Sequence, residues 1–590
     1  VTSASQKRTI VAILATVFSE LVALVLLWFP PIPEGSSWLG AFRGYFPFDQ
    51  LSYAGIASTA AAGNLGSVEP FTETGTSFYP SLWYKILGLL SSITGGSITA
   101  VWTIAGVTVV GLAILIIGLV ALKVSNRAWA PALVGPALCV GTLSTVLHAQ
   151  WFAQLDSHAV LWGPYGALYT LNAEVIGFAL AATGLSLVLL VAYHRVTSRT
   201  RAVIVLSIAA ILIGVIANVQ TYAFFVAIAM LFAWAGGYGL AKSRSRTAAI
   251  ATVVLIVLTF ALGSFVNSKV GAIPVFGLLV ICTLPGLWFA VQGRIKPLII
   301  PAILLVISAA PQFLLVASGI LDKNDFLTYR QDQSTELTVS LIAGFIAALP
   351  IIAIWFYNLV VIRRKPEPAL MGLLLGLAFS WFMLSFNNLW GFSQEPYRLW
   401  INSVAVGALV LAPLTAISIA KSQKIARQNA GRRPTIVRIA GIAALVLFGA
   451  SLMDVGGFRI FAANQGVIPF DTSRMTALET ISAPVDSLMA AEPCIDPQHL
   501  KVATGKPVAF YNMGIAWPAN KAGIDQVMAA AANGTFSPEA LKAGGVTYLV
   551  TDTSCPTKWV IEGTMGTIKV QSLDYADPNA AGTLTLWKLN

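Results

Sequence analysis

Asp49 lies in the stretch Phe42-Arg43-Gly44-Tyr45-Phe46-Pro47-Phe48-Asp49-Gln50, with Tyr53 close behind. A carboxyl among aromatic rings is stripped of water, and desolvation raises its pKa toward the range where it can take a proton from a hydroxyl near neutral pH. The same Asp also suits a purely structural role, capping a helix that opens near Leu51. A second cluster reads Asn387-Asn388-Leu389-Trp390-Gly391-Phe392-Ser393-Gln394-Glu395-Pro396-Tyr397-Arg398-Leu399-Trp400. The planar fork of Arg398, at the start of a helix, is suited to a phosphate at lipid-headgroup depth, with Glu395 and Tyr397 beside it. A snorkelling Arg in an ordinary aromatic belt would leave the same signature. Weaker signals come from Asp322, Lys323, Asp325, Tyr329, Arg330 and Asp332, which suit a solvated loop equally well, and from Asp156 and His158.

These residues must be positioned by membrane helices. The chain has 590 residues, 57% hydrophobic and only 10% charged, with a mean hydropathy of +0.78. Soluble domains carry roughly 25% charge, so a cytosolic enzyme, a disordered chain and a secreted disulfide scaffold are all excluded. Apolar runs of about 20 residues, enough to cross a hydrocarbon core of about 30 Å, recur near 8–29, 98–122, 129–147, 171–193, 203–218, 221–240, 248–266, 271–292, 298–319, 338–360, 368–386, 398–420 and 438–456. They predict a polytopic all-α bundle of about thirteen transmembrane helices. Asn218, Gln220 and Thr221 supply the polar tip that breaks the 203–240 stretch into a hairpin. Leu82–Thr94 is amphipathic and too short to span, which predicts a helix at the interface.

With the N-terminus inside, twenty-one of the 36 Lys and Arg fall in inner loops, six in outer loops and nine in the tail after 456. Only one acid, Glu367, falls inside, against ten in the outer loops. This asymmetry follows the positive-inside rule and predicts a plasma-membrane protein with a cytoplasmic N-terminus. The net charge of +11 is thus topological, and nucleic acid is not a partner. Lys7-Arg8 and the run behind them, with no small-residue cleavage pattern before Pro30, predict an uncleaved anchor.

Three regions face outward in this topology: a loop at 30–81, shorter loops at 148–170, 320–337 and 387–397, and the tail 457–590. The first loop has too many rings for a tether and is expected to form a structured lid. It belongs with a membrane domain at 1–456. The tail mixes strand-like runs (Val546–Val550, Thr583–Trp587) with helix-like runs at 473–491 and 521–544, as an extracytoplasmic α/β domain does. Cys494 and Cys555 fall in that oxidising location and predict a disulfide, while Cys139 and Cys282 lie in apolar helices. With four His and no CxxC or HExxH, no metal site is assigned. Glu20, Glu174 and Asp454 are the few ionisable groups within spans, fewer than a proton-coupled carrier requires, and no two matching halves are present.

Phe48-Asp49-Gln50 followed by Ser77-Phe78-Tyr79-Pro80-Ser81-Leu82-Trp83-Tyr84 resembles the opening of actinobacterial cell-wall arabinofuranosyltransferases. Those enzymes carry an Asp-Gln or Asp-Asp pair and then a Phe-Tyr-Pro-x-x-Trp stretch. The uneven bundle, long first outer loop and C-terminal outer domain likewise resemble the GT-C glycosyltransferases. The architectural likeness covers most of the membrane part, and the motif covers about forty residues. No oligosaccharyltransferase motif is present.

The resemblance implies transfer, with inversion, of an arabinofuranose or mannose-type sugar from a polyprenyl-phosphate donor in the bilayer to a cell-envelope glycan. Asp49 would be the catalytic base. Arg398 would be the first candidate for the donor phosphate, with Arg330 and Arg43 behind it. Glu395 and Tyr397 are placed by neighbourhood, and Gln50, Tyr79 and Trp83 by the motif. Gln50 in place of a second Asp weakens any metal role; no cofactor is implied, and a divalent cation stays open. The alternatives are a lipid-linked glycan polymerase or ligase, a flippase or exporter of lipid-linked sugars, and a glycan-binding module in the tail.

Overall fold

The computed structural model describes the chain apart from residues 1–3, 28–31, 33, 35, 144–163, 194, 293–294, 336–347, 394–395, 429–433, 557–558, 560–565 and 578–579. The chain is a multi-pass membrane protein with a C-terminal mixed α/β region. Among the described residues, eleven helices are long and apolar enough to cross a bilayer: Ser5–Leu26, Ile98–Ser125, Ala173–Ala192, Arg199–Val219, Thr221–Ser243, Arg246–Val270, Pro274–Val291, Ile295–Leu321, Pro368–Ser385, Asn402–Gln428 and Thr435–Gln465. The expected thirteen thus become eleven. The 129–147 run contains Pro131, Gly135 and Pro136, and its described part forms only the short helices Ala130–Leu133 and Val134–Ala137. Of the 338–360 run, residues 338–347 lie outside the described residues, and the described part forms the helix Leu349–Ile362, with Pro350 in its first turn.

Two compact units divide the chain. The first comprises Val1–Trp28, Gly106–Leu314 and Thr328–Phe461. Its centre is the Thr221–Ser243 helix, packed against Ala272–Val291 and Pro368–Ser385. Glycine makes this approach possible: a methyl group at Gly239 would run into the Gly286 carbonyl, and one at Gly376 into the Trp234 backbone. Without a hydrophobic drive between helices in lipid, such close van der Waals contact is a main source of association.

The predicted hairpin break is present. Gln220 is extended between the two helices, and its side chain accepts a hydrogen bond from Tyr222 N. Asn218 beside it donates from Nδ2 to Ser308 O at 2.7 Å and accepts from Gln312 N at 3.0 Å. Ser308 and Gln312 are an i, i+4 pair around Pro311 in the Ile295–Leu321 helix. The amide of Asn218 therefore ties its helix to the turn of Ile295–Leu321 that carries Pro311.

The second unit comprises Phe29–Ala105, Leu315–Leu327 and Ala462–Asn590. The long first loop and the tail share it. Strand β1 (Ala41–Arg43) pairs antiparallel with β2 (Val467–Pro469). The tail's sheet has the order β3-β4-β6-β5, with β3 (Met489–Ala491) parallel to β4 (Tyr548–Asp552). Strands β5 (Ile568–Asp577) and β6 (Ala580–Lys588) form an antiparallel hairpin, and β6 pairs antiparallel with β4. Leu549 is fully buried in a core that includes Ile524, Val527 and Leu541, and Val550 is fully buried as well.

Both strand-like runs are thus strands, whereas the helix-like runs are interrupted. The first is helical only over Ser473–Glu479 and then yields β3; the second divides into Lys521–Ala532 and Pro538–Gly544, the latter capped by Ser537. Cys494 and Cys555 are bonded, and Cys139 and Cys282 are free and buried. Within the first loop, Ala54, Ala57 and Phe71 are completely buried, as an ordered segment requires.

Candidate active site

Asp49 lies in the first turn of the Pro47–Ala61 helix. The helix starts at Pro47, four residues before the expected Leu51, because proline's fixed φ suits the first helical position. Asp49 is therefore not the cap; Phe46 is, without any side-chain cap bond. Phe46 holds a left-handed backbone at φ 53°, an uncommon conformation for an aromatic residue and one that concentrates at functional sites. A carboxylate in the first turn is favoured by the positive end of the helix dipole.

Aromatic residues on either side of the acid in the chain pack into two ring clusters. Tyr53 stacks on Tyr84 at 4.8 Å and on Tyr79 at 5.5 Å, and Tyr84 packs on Trp102 at 5.4 Å. Phe48 meets Phe510 edge-on at 6.2 Å, and Phe510 meets Phe71 at 4.9 Å. Burial, then the neighbouring Tyr79 and the negative charge of Asp49, push the Tyr53 phenol well above its ordinary pKa. Tyr53 therefore stays protonated, a turn along the helix from Asp49.

The other motif residues divide by role. Gln50 is buried, and its Nε2 donates to Arg43 O at 2.8 Å and to Tyr45 O. Its amide donors are spent on holding the 43–50 turn, which places Asp49. Arg43 lies in β1 and is only 3% exposed, a poor position from which to meet a lipid phosphate. Trp83 is buried, and its indole Nε1 has no hydrogen-bond partner among the described residues. Asp49, Gln50, Arg43, Tyr79 and Trp83 all belong to the second unit.

Arg398 and Arg330 belong to the first. Arg398, in the first turn of the Pro396–Gln428 helix, is half-buried with its guanidinium 5.6 Å from the Tyr222 ring centre. Its carbonyl accepts from Asn402 Nδ2, which also donates to Glu174 Oε1 at 2.8 Å. Arg330 is half-buried on the Asp325–Thr335 helix. Glu395, Asp156, His158 and the side chains of Tyr397 and Asp332 lie outside the described residues. Asp454 is fully buried and accepts from Thr142 N at 2.9 Å, a structural tie.

No protein-family model matches the chain, and no curated protein matches it. Among solved structures it overlays on the apo oligosaccharyltransferase of Archaeoglobus fulgidus with a TM-score of 0.47 and 15% identity, covering 92% of this chain and 69% of that one. It overlays on ArnT from Cupriavidus metallidurans bound to undecaprenyl phosphate with a TM-score of 0.45 and 13% identity, covering 99% and 98%. For the apo state of ArnT the TM-score is 0.44 and the identity 11%, covering 97% of each chain.

One group around the aromatic site escaped the sequence argument. Lys501 is completely buried and donates to Glu73 Oε1 at 2.7 Å and to Gly505 O at 3.3 Å. Glu69, also buried, accepts from Phe71 N, Thr72 N and Thr72 Oγ1. Desolvation outweighs these hydrogen bonds and the Lys501 charge, and raises Glu69 to about 7. Gln498 donates to Phe48 O and to Ser52 Oγ, and Asn512 also reaches Ser52 Oγ at 2.8 Å. The residues flanking Asp49 are thus fixed from the tail, and only the density of polar residues in 496–512 hinted at it.

The group Glu492, Cys494 and Cys555 has metal-ligand residue types. Its two sulfurs form the disulfide, and Glu492 accepts from Asp552 N and Trp559 N. These residues do not fit a metal ion.

Proposed function

We propose that the chain is a membrane glycosyltransferase of the GT-C class. It moves an arabinofuranose or mannose-type sugar from a polyprenyl-phosphate donor to a cell-envelope glycan outside the membrane, with its N-terminus in the cytoplasm. The observation that carries the reading is Asp49 itself. It is a half-buried carboxylate in the first turn of a proline-started helix whose Phe48 and Tyr53 join a phenylalanine pair and a tyrosine stack, on a segment fixed by hydrogen bonds from the tail. Such a setting offers a base, C–H/π surface for sugar rings and reduced access for water.

In the reaction the Asp49 carboxylate takes the proton of an acceptor hydroxyl as that oxygen attacks the anomeric carbon. The bond from that carbon to the donor phosphate oxygen breaks, the phosphate leaves with the electron pair, and one displacement inverts the centre. Negative charge grows on the leaving phosphate. An arginine fork at headgroup depth, the role the resemblance suggests for Arg398 and then Arg330, is the proposed kind of partner for it, and loss of such a donor costs about 100- to 1000-fold in rate. Gln50 is a positioning residue.

The test is direct transfer. Purified full-length protein in liposomes is given radiolabelled polyprenyl-phosphate arabinofuranose or mannose and a neutral oligosaccharide acceptor. Label passing to the acceptor supports the reading. Label that stays on the lipid but crosses the bilayer would replace it with an exporter.

A further inference from the structure

A second cleft in the unit that carries Asp49 has a chemistry of its own. It has a volume of about 330 Å³ and lies between the end of the Pro47–Ala61 helix, the end of Leu82–Thr94 with the link to the next helix, and the Phe470–Gly505 part of the tail. This is within the size range of small-molecule sites. Its hydroxyls are those of Ser58, Ser91, Ser97, Thr99 and Thr504. Three of them already donate to backbone carbonyls: Ser58 to Lys501 O, Ser91 to Gly96 O and Thr504 to Leu500 O. What they keep for a ligand is acceptor lone pairs.

Two carboxylates, Asp471 and Glu479, complete the polar wall. Asp471 is seated deliberately: it accepts from Ser37 N at 2.6 Å, and a methyl group at Gly40 would overlap it, so only glycine leaves it room. Among the described residues, neither Lys nor Arg lines the cleft. The neighbouring Lys506 directs its ammonium to the carbonyls of Ile481 and Ala483. The remaining wall is apolar and small, with Ala61, Ala62 and Ala503, and is closed by Phe470, which is held between Phe42 and His499.

A wall rich in acceptors, free of cations and floored by small apolar groups selects a ligand with many hydroxyl donors, C–H faces and no negative charge. We propose that this cleft binds an uncharged sugar ring at a site separate from Asp49. Both carboxylates stand at the exposed rim of the cleft, and partial desolvation raises the Glu479 carboxyl above its ordinary range. Asp49 and Ser58 stand nine residues apart on one helix, about 14 Å along its axis. The binding proposal itself stands whether or not Asp49 is a base.

The test is saturation-transfer NMR on the full-length protein in a detergent without a sugar headgroup. The probes are mannotetraose, arabinotetraose and, as the anionic control, tetragalacturonate. At least one neutral tetrasaccharide is expected to bind while tetragalacturonate stays silent. The signal is lost in Ala62→Trp, which fills the cleft from an exposed position, and affinity falls about tenfold in Glu479→Gln, as one charge-assisted hydrogen bond implies. Binding by a protein that transfers no sugar supports the cleft all the same. Three results would overturn it: no signal from either neutral sugar, an unchanged signal in both variants, or an equal signal from tetragalacturonate.

Discussion

The Lys501 ammonium, with no exposure to solvent, meets Glu73 at 2.7 Å across 428 residues of sequence. Glu73 keeps 18% exposure and a second bond from Asn64, so the two partners are not equivalent. Removing Glu73 leaves a buried cation facing only carbonyl and carboxyl dipoles, whereas removing the ammonium leaves a carboxylate that still reaches water. Glu73→Ala is therefore expected to destabilise the second unit by about 3–5 kcal/mol, and Lys501→Met by less than half of that. Protease resistance of the tail over a urea series measures both. Equal losses would contradict the asymmetry.

Glu69 adds a pH dependence. Its folded pKa of about 7 lies above the ordinary 4.5, so between those values the folded chain holds a proton that the unfolded chain has released. This contribution is complete below about pH 4.5, falls as pH rises toward 7 and is flat above. The span corresponds to about 3 kcal/mol at most. Glu69→Gln should flatten the fall in unfolding midpoint between pH 5 and 8, whatever it does to the absolute level. A wild-type slope that persists in the variant would assign it to another group.

Asn218 makes a prediction inside the bundle. Replacing it by Leu removes the hydrogen bonds to Ser308 O and from Gln312 N beside Pro311, at a cost of about 1–3 kcal/mol. Pro311→Ala removes the ring from this turn and returns a helical N–H to it, so the helix depends less on Asn218 and the double variant should lose less than Asn218→Leu alone. Thermal inactivation of all three proteins in one detergent gives the coupling. Strict additivity would mean that the bridge is incidental.

The sequence disclosed what hydropathy and local chemistry control. The spans, the Asn218–Thr221 break, the strands at 548–552 and 580–588 and the Cys494–Cys555 pair were all visible in residue type and spacing. The 129–147 run misled because Pro131 and Pro136 break a helix without lowering its hydropathy much. What stayed hidden was the joining of the first loop to the tail. Pairings such as Ala41 with Pro469, Gln498 with Ser52 and Glu73 with Lys501 cross more than 400 residues, and no local pattern encodes them. The same limit blurred Gln50, which reads as a site residue in its motif but whose amide donors are consumed by Arg43 O and Tyr45 O.

The central claim is that Asp49 is the base for glycosyl transfer, and Asp49→Asn tests it most directly. Asparagine keeps the size and the place in the first turn but cannot take a proton. With normal membrane levels and an unchanged unfolding midpoint, transfer from a polyprenyl-phosphate sugar should fall about 100- to 10,000-fold, with little change in donor KM. A variant that keeps wild-type turnover would contradict the account and leave Asp49 as a structural acid at a helix start.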